Sequence, residues 1–168
     1  MLILDEPTTG IDPTGRRNLW TLLRDLAKSG TTVVLTTHYM EEAEQLADRV
    51  ALLAQGSLIA SGSPSELISA HGGSNRVEID TNTPEDVCAV VEAAGFDILS
   101  TAPISIACGP RDIGTIADLL DREEITFDTL LWRQPDLEDV YLKLTGTETE
   151  RLKTSGYQGT PKAMVDSQ

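Results

Sequence analysis

The sequence predicts an α/β unit with parallel buried strands, followed by a smaller α+β unit, and three observations carry that expectation. An apolar run from Leu2 to Leu4 ends abruptly in two adjacent carboxylates, Asp5 and Glu6, as a buried strand does when it delivers charge to a site at its carboxyl end. A helical pattern and then a β-branched run follow by residue 37, which makes a strand–helix–strand crossover with parallel strands. After a Gly/Ser-rich stretch at 71–75, strands and helices resume in a different order. With 168 residues and 40% apolar content the chain has enough material to build cores of this size.

Taken in order, Asp12 and Pro13 open the first helix, the aspartate as N-cap and the proline at the first helical position. Leu19, Leu22, Leu23 and Leu26 mark its inward face, and Gly30 stops it. The run from Thr31 to Thr37 is β-branched and reads as the second buried strand. Because the two strands are parallel, their carboxyl ends share one sheet edge, which brings His38 near Asp5 and Glu6. A short helix at 39–46 turns Met40, Ala43 and Leu46 inward and Glu41, Glu42 and Glu44 to solvent. Residues 49–53 and 58–61 flank the turn 54–57 as a hairpin, and Ser63, Pro64 and Glu66 form a capping box for a helix to about Ala70.

Residues 71–75 have the composition of a linker. The second unit is expected over 76–145: a strand at 76–80, a helix capped at Thr83 and running to about Ala94, strands at 96–100 and 104–108, a helix at 111–121 and a strand at 125–132. The order β-α-β-β-α-β is the ferredoxin-like, split βαβ arrangement. A last helix at 136–144 presents Leu137, Val140, Tyr141 and Leu144 on one stripe, and residues 146–168 read as a disordered tail.

The formal net charge of −14 argues against a nucleic-acid or anionic-membrane surface, since both partners are themselves negative. The excess acid is concentrated at 76–145, with fifteen acidic against five basic residues. Cys88 and Cys108 sit in apolar surroundings without metal-ligand spacing and read as buried reduced thiols. No apolar run is long enough to span a membrane or serve as a secretion signal, so a cytoplasmic protein, or one peripheral to a membrane, is expected.

The string Leu2-Ile-Leu-Asp-Glu-Pro-Thr-Thr-Gly-Ile-Asp-Pro13, followed at crossover distance by Leu35, Thr36, Thr37 and His38, resembles the second half of an ATP-binding-cassette (ABC) ATPase domain. By that resemblance the apolar run and Asp5 match the Walker B motif, Glu6 the catalytic glutamate, residues 9–12 the D-loop and His38 the switch histidine. The resemblance implies ATP and Mg²⁺ as cofactors. Asp5 would hold the metal directly or through a water, and Glu6 would orient or deprotonate the attacking water. His38 would contact the γ-phosphate, and Asp12 would reach a second cassette.

The later stretch from Leu137 to Gly146 is similar to the carboxyl-terminal extension of drug-exporting, daunorubicin-resistance-type subunits. Such subunits pair with a separate membrane permease at the inner face of the cell membrane, without inserting into it. The fold class implied is therefore a partial P-loop parallel sheet over 1–70, followed by the ferredoxin-like unit. No G-x-x-x-x-G-K-S/T motif occurs in the sequence, nor does a Leu-Ser-Gly-Gly signature. Without that phosphate cradle the chain alone is expected to be inactive, because positioning and electrostatics are nearly all that phosphoryl transfer requires of a protein. Two alternatives are a non-enzymatic interaction or regulatory module carried by 76–145, and a half-domain completed by another chain that supplies the P-loop.

Overall fold

The computed structural model describes residues 1–146; the expected disordered tail lies, beyond Gly146, outside the described residues. These residues divide into two compact units, one of 1–74 with 134–146 and one of 75–133.

In the first unit, β1 (Leu2–Asp5) and β2 (Val33–Thr36) pair in parallel, with Asp5 opposite Thr36. The crossover between them is α1 (Pro13–Lys28). Asp12 caps α1 as expected, its Oδ1 accepting the amides of Thr14 and Gly15 at 2.9 and 2.8 Å. Helix α1 closes at Ser29, and Gly30 follows in the left-handed region at φ +92°, where a side chain would be strained.

The inward face of α1 is rotated from the expected one. Trp20 and Leu23 are buried, whereas Leu22 is 55% exposed. Leucine periodicity alone overlooked the indole, the largest apolar surface on the helix. The strands are covered unevenly as well: Ile3 and Val34, direct neighbours in register, are 66% and 48% exposed. Unpaired strand edges with apolar side chains invite association. Ile3→Lys should therefore reduce light scattering by concentrated protein, while changing unfolding free energy by no more than about 0.5 kcal/mol, as for other exposed sites.

Next come α2 (Met40–Leu46), β3 (Val50–Ala54), β4 (Ser57–Gly62) and α3 (Pro64–His71). The hairpin turns through Gln55 and Gly56, both at positive φ, the backbone of a tight two-residue turn. The solvated face expected of the α2 glutamates holds for Glu41 but not for Glu42, which is fully buried with its Oε1 accepting the Trp20 indole N–H at 2.9 Å. A buried carboxylate needs such a donor, and that donor lies 22 residues earlier in the sequence.

The capping box of α3 forms as expected, with Ser63 and Glu66 bonding each other's amides. The Ser63 backbone and side-chain bonds hold the Glu66 carboxyl below its ordinary value, against a smaller opposing effect of burial. A depressed carboxylate contributes stability that is present above its unfolded-state value and lost as pH falls through the folded one. Acidification below about pH 4.3, the usual glutamate value, should thus fray the first turn of α3, seen as loss of protection at the Glu66 amide.

The second unit has its own core. Here β5 (Arg76–Asp80), β6 (Asp97–Thr101), β7 (Ile104–Ala107) and β8 (Thr129–Arg133) form one sheet in the order β6-β7-β5-β8, every neighbouring pair antiparallel. With them run α4 (Pro84–Ala93) and α5 (Asp112–Arg122). Val77, Ile79, Ile104 and Ile106 from the strands bury against Val87, Val91, Ile116 and Leu120 from the helices. Strand β8 starts later than expected, because Glu124 at φ +56° turns the chain and residues 125–128 remain a loop. Cys88 and Cys108 are free thiols at the margin of this core. Burial pushes both up from the ordinary value, with Glu92 and Asp112 respectively adding to the effect.

The last helix corrects the expected boundary. Instead of closing the 76–145 unit, α6 (Leu137–Thr145) belongs to the first one. Leu137 and Val140 are fully buried against Ala43, Val50, Leu52 and Leu67. Its amino end is held twice, by an Asp136–Asp139 capping box and by Glu44, whose Oε2 accepts the Leu137 amide at 3.2 Å.

Candidate functional site

The site lies at the carboxyl ends of β1 and β2. Register alone places Asp5 beside Thr36, and the Thr36 hydroxyl donates to Asp5 Oδ1. One residue on, the Glu6 amide donates to the Thr36 carbonyl at 3.0 Å and approaches its hydroxyl at 3.1 Å. At Glu6 the strand breaks, for the residue sits at φ +47° in the left-handed region. A non-glycine residue there stores on the order of 1–3 kcal/mol. Pro7 supplies the fixed φ of the following turn, closed by the Thr9 amide on the Glu6 carbonyl at 3.2 Å.

This turn aims the Glu6 carboxylate at two groups. Thr9 Oγ1 donates to Glu6 Oε2 at 2.8 Å, and His38 Nδ1 lies 2.5 Å from the same oxygen. An ionised carboxylate only accepts, so Nδ1 carries the proton in this contact and Nε2 is the nitrogen left for another partner. Both contacts fall on Oε2, which leaves Oε1 to meet a water. Glu6 and His38 are open to solvent, with side chains 41% and 55% exposed. The crossover brings His38 to hydrogen-bond distance of Glu6, while the side-chain partner of Asp5 is Thr36.

Asp12 is different. Its carboxylate is engaged at the start of α1 by Thr14 and Gly15, and no contact joins it to Asp5, Glu6 or His38 among the described residues. Two further residues touch the carboxylates, Thr36 and Thr9, and the sequence motifs alone give neither side chain a role at them. Thr36 was legible from strand register, since it is the residue opposite Asp5. Thr9 had the weaker signal of a hydroxyl three residues beyond a carboxylate, the spacing of a turn.

Asp5 has the donor chemistry of a magnesium ligand: an exposed hard-oxygen carboxylate at a strand end, with a hydroxyl beside it. Mg²⁺ takes one or two carboxylates and completes its shell with waters and phosphate oxygens, so one carboxylate at the site fits. Among the described residues no group of three or more His, Cys, Asp and Glu is gathered around a metal-sized space.

No family model matches the chain. Among curated proteins it is similar to the Nod factor export ATP-binding protein I of Rhizobium sp. (strain N33), at 38% identity over 153 residues, 90% of this chain and 49% of that protein. The protein of the same name from Bradyrhizobium diazoefficiens is 39% identical over 153 residues, 90% of this chain and 48% of the relative. That from Rhizobium meliloti (strain 1021) is 41% identical over 150 residues, 88% of this chain and 43% of the relative. The chain thus spans about half the length of the curated relatives it matches.

Proposed function

From a sequence that matches the carboxyl-terminal part of ABC-type ATP-binding export subunits, we propose that the chain supplies the metal-holding and water-activating half of an ATPase site that drives export through a separate permease. The observation that carries this reading is the meeting of Glu6 and His38 at 2.5 Å, one residue beyond Asp5, at the shared edge of two parallel strands. Ligands of open α/β sheets bind at that edge.

In this reading Asp5 holds Mg²⁺ directly or through a water, with the Thr36 hydroxyl fixing the carboxylate's rotamer. Mg²⁺ held there would supply neutralisation of the charge that develops during phosphoryl transfer. Glu6 orients the attacking water and takes its proton on Oε1, while Thr9 and His38 hold Oε2 in place. His38 Nε2 faces the transferred phosphoryl group, on which it donates only when the ring is doubly protonated. Asp12 stations α1 at the boundary with a second cassette. The assembled protein sits peripherally on the cytoplasmic face of the membrane against its permease, and among the described residues no helix is long and apolar enough to cross a membrane.

We read β1 and β2 as part of a P-loop-type parallel sheet, and residues 75–133 as a ferredoxin-like accessory unit. The strand order β6-β7-β5-β8 with antiparallel neighbours supports the second assignment. Its separate buried core also favours an interaction or regulatory role for that unit, the alternative to catalysis.

A direct test is ATP turnover by the 168-residue chain. Only background hydrolysis is expected, since no residue run in it matches the phosphate-binding loop. Mg-dependent turnover by the isolated chain, abolished by Glu6→Gln, would falsify the half-site reading and make the chain a complete catalyst. Nucleotide binding that appears only when a P-loop-bearing segment is added, and is weakened by Asp5→Asn, supports it.

A further inference from the structure

Helix α1 carries three residues at four-residue spacing, Arg16, Trp20 and Arg24, which therefore share one face. Each holds one residue of the segment that follows His38. The Arg16 guanidinium lies over the Tyr39 ring, 4.4 Å from its centroid. The Trp20 indole donates to Glu42 at 2.9 Å, with both side chains buried. Arg24 reaches both the carbonyl and the side-chain oxygen of Gln45, at 3.2 and 3.1 Å through one nitrogen. The held positions 39, 42 and 45 are three apart, so they too share one face. Tyr39, in the first rung, also packs against His38, with ring centroids 4.1 Å apart and the planes tilted by 39°.

We infer that these three rungs form a zipper that holds the His38 segment to α1, making Trp20 and Glu42 positioning residues for His38. The middle rung matters most. It is the one shielded from water, where a hydrogen bond has no competing partner and an unpaired group has no substitute. The outer rungs involve exposed or half-exposed groups and steer the two ends of the segment. Through these rungs a displacement of α1, whose amino end Asp12 caps, carries the His38 segment with it. His38 is thereby tied to the helix that the proposed assembly would press on, and the Glu6–His38 contact is set from a distance by the Trp20–Glu42 bond.

The inference rests on the ATPase reading only for what His38 finally does. Its test reads the position of the His38 ring, which is independent of turnover. The chain has two histidines, and His71, at the end of α3, lies outside the zipper and serves as the internal control. In ring ¹H–¹³C spectra of the full chain, Glu42→Met fills the same space without an acceptor and should displace the His38 signal while leaving His71 in place. Glu42→Gln keeps an acceptor for the indole and should leave both signals at their wild-type positions. An unmoved His38 in Glu42→Met, with the indole N–H resonance of Trp20 visibly shifted, overturns the inference. If Glu42→Met displaces both histidines, Arg24→Met decides, because it removes only an outer rung. Displacement of His38 alone in Arg24→Met supports the zipper, and any other pattern there rejects it.

Discussion

In the proposed nucleotide-binding assembly, replacing Glu6 with glutamine should lower ATP turnover by about 10²–10⁴-fold, the range general acid–base catalysis contributes. Nucleotide affinity should change little. Glutamine keeps the size of the side chain and one oxygen, which still accepts from Thr9 Oγ1 and His38 Nδ1, so the turn and the His38 contact survive. What it loses is the basic second oxygen, the one left free to take a proton. The expected signature is a fall in kcat with KM within a few-fold of wild type, the pattern of an interaction made only in the transition state. A proportional rise in KM with kcat unchanged would instead assign Glu6 to holding substrate. Thr9→Val provides a graded companion: it removes one hydrogen bond to Oε2 and should produce a smaller loss in the same parameter.

The parts of the site that sequence made visible are those written in short range. An apolar run of three residues ending in Asp5 and Glu6, a crossover of ordinary length and a β-branched run ending in threonines suffice to place His38 beside Glu6. The capping residues Asp12 and Ser63 are equally local, because an N-cap bonds amides two or three residues away. The parts that were hidden depend on partners distant in sequence. Glu42 reads as one of a run of solvated glutamates until the indole donor 22 residues upstream is known. The stripe Leu137, Val140, Tyr141 and Leu144 predicts a buried helix face, which it is, but periodicity says nothing about which core receives it. Glu6 at positive φ breaks strand alternation, and no residue preference for that conformation announces it.

That hidden partner choice has a consequence for stability. Leu137→Ala should destabilise the unit formed by 1–74 and 134–146 by about 2–5 kcal/mol, the cost of emptying a fully buried leucine site. It should leave the 75–133 unit unchanged. The two tryptophans make the distinction measurable, since Trp20 reports the first unit and Trp132 the second. In a Trp132→Phe background the Leu137→Ala substitution shifts the urea midpoint of Trp20 fluorescence downward; in a Trp20→Phe background the Trp132 midpoint stays where it was. The opposite result would return α6 to the second unit.

The same logic extends along the helix. Leu137 and Val140 are buried against Ala43 of α2, and Glu44 of α2 accepts the first amide of α6. Loss of α6 packing therefore loosens α2, whose amino end lies two residues beyond His38. In the Leu137→Ala protein, amide exchange in α2 should accelerate ahead of exchange in α1, because local opening starts where buried contacts have been removed. Uniform acceleration through both helices would mean that α6 supports the first unit as a whole and does not act through α2.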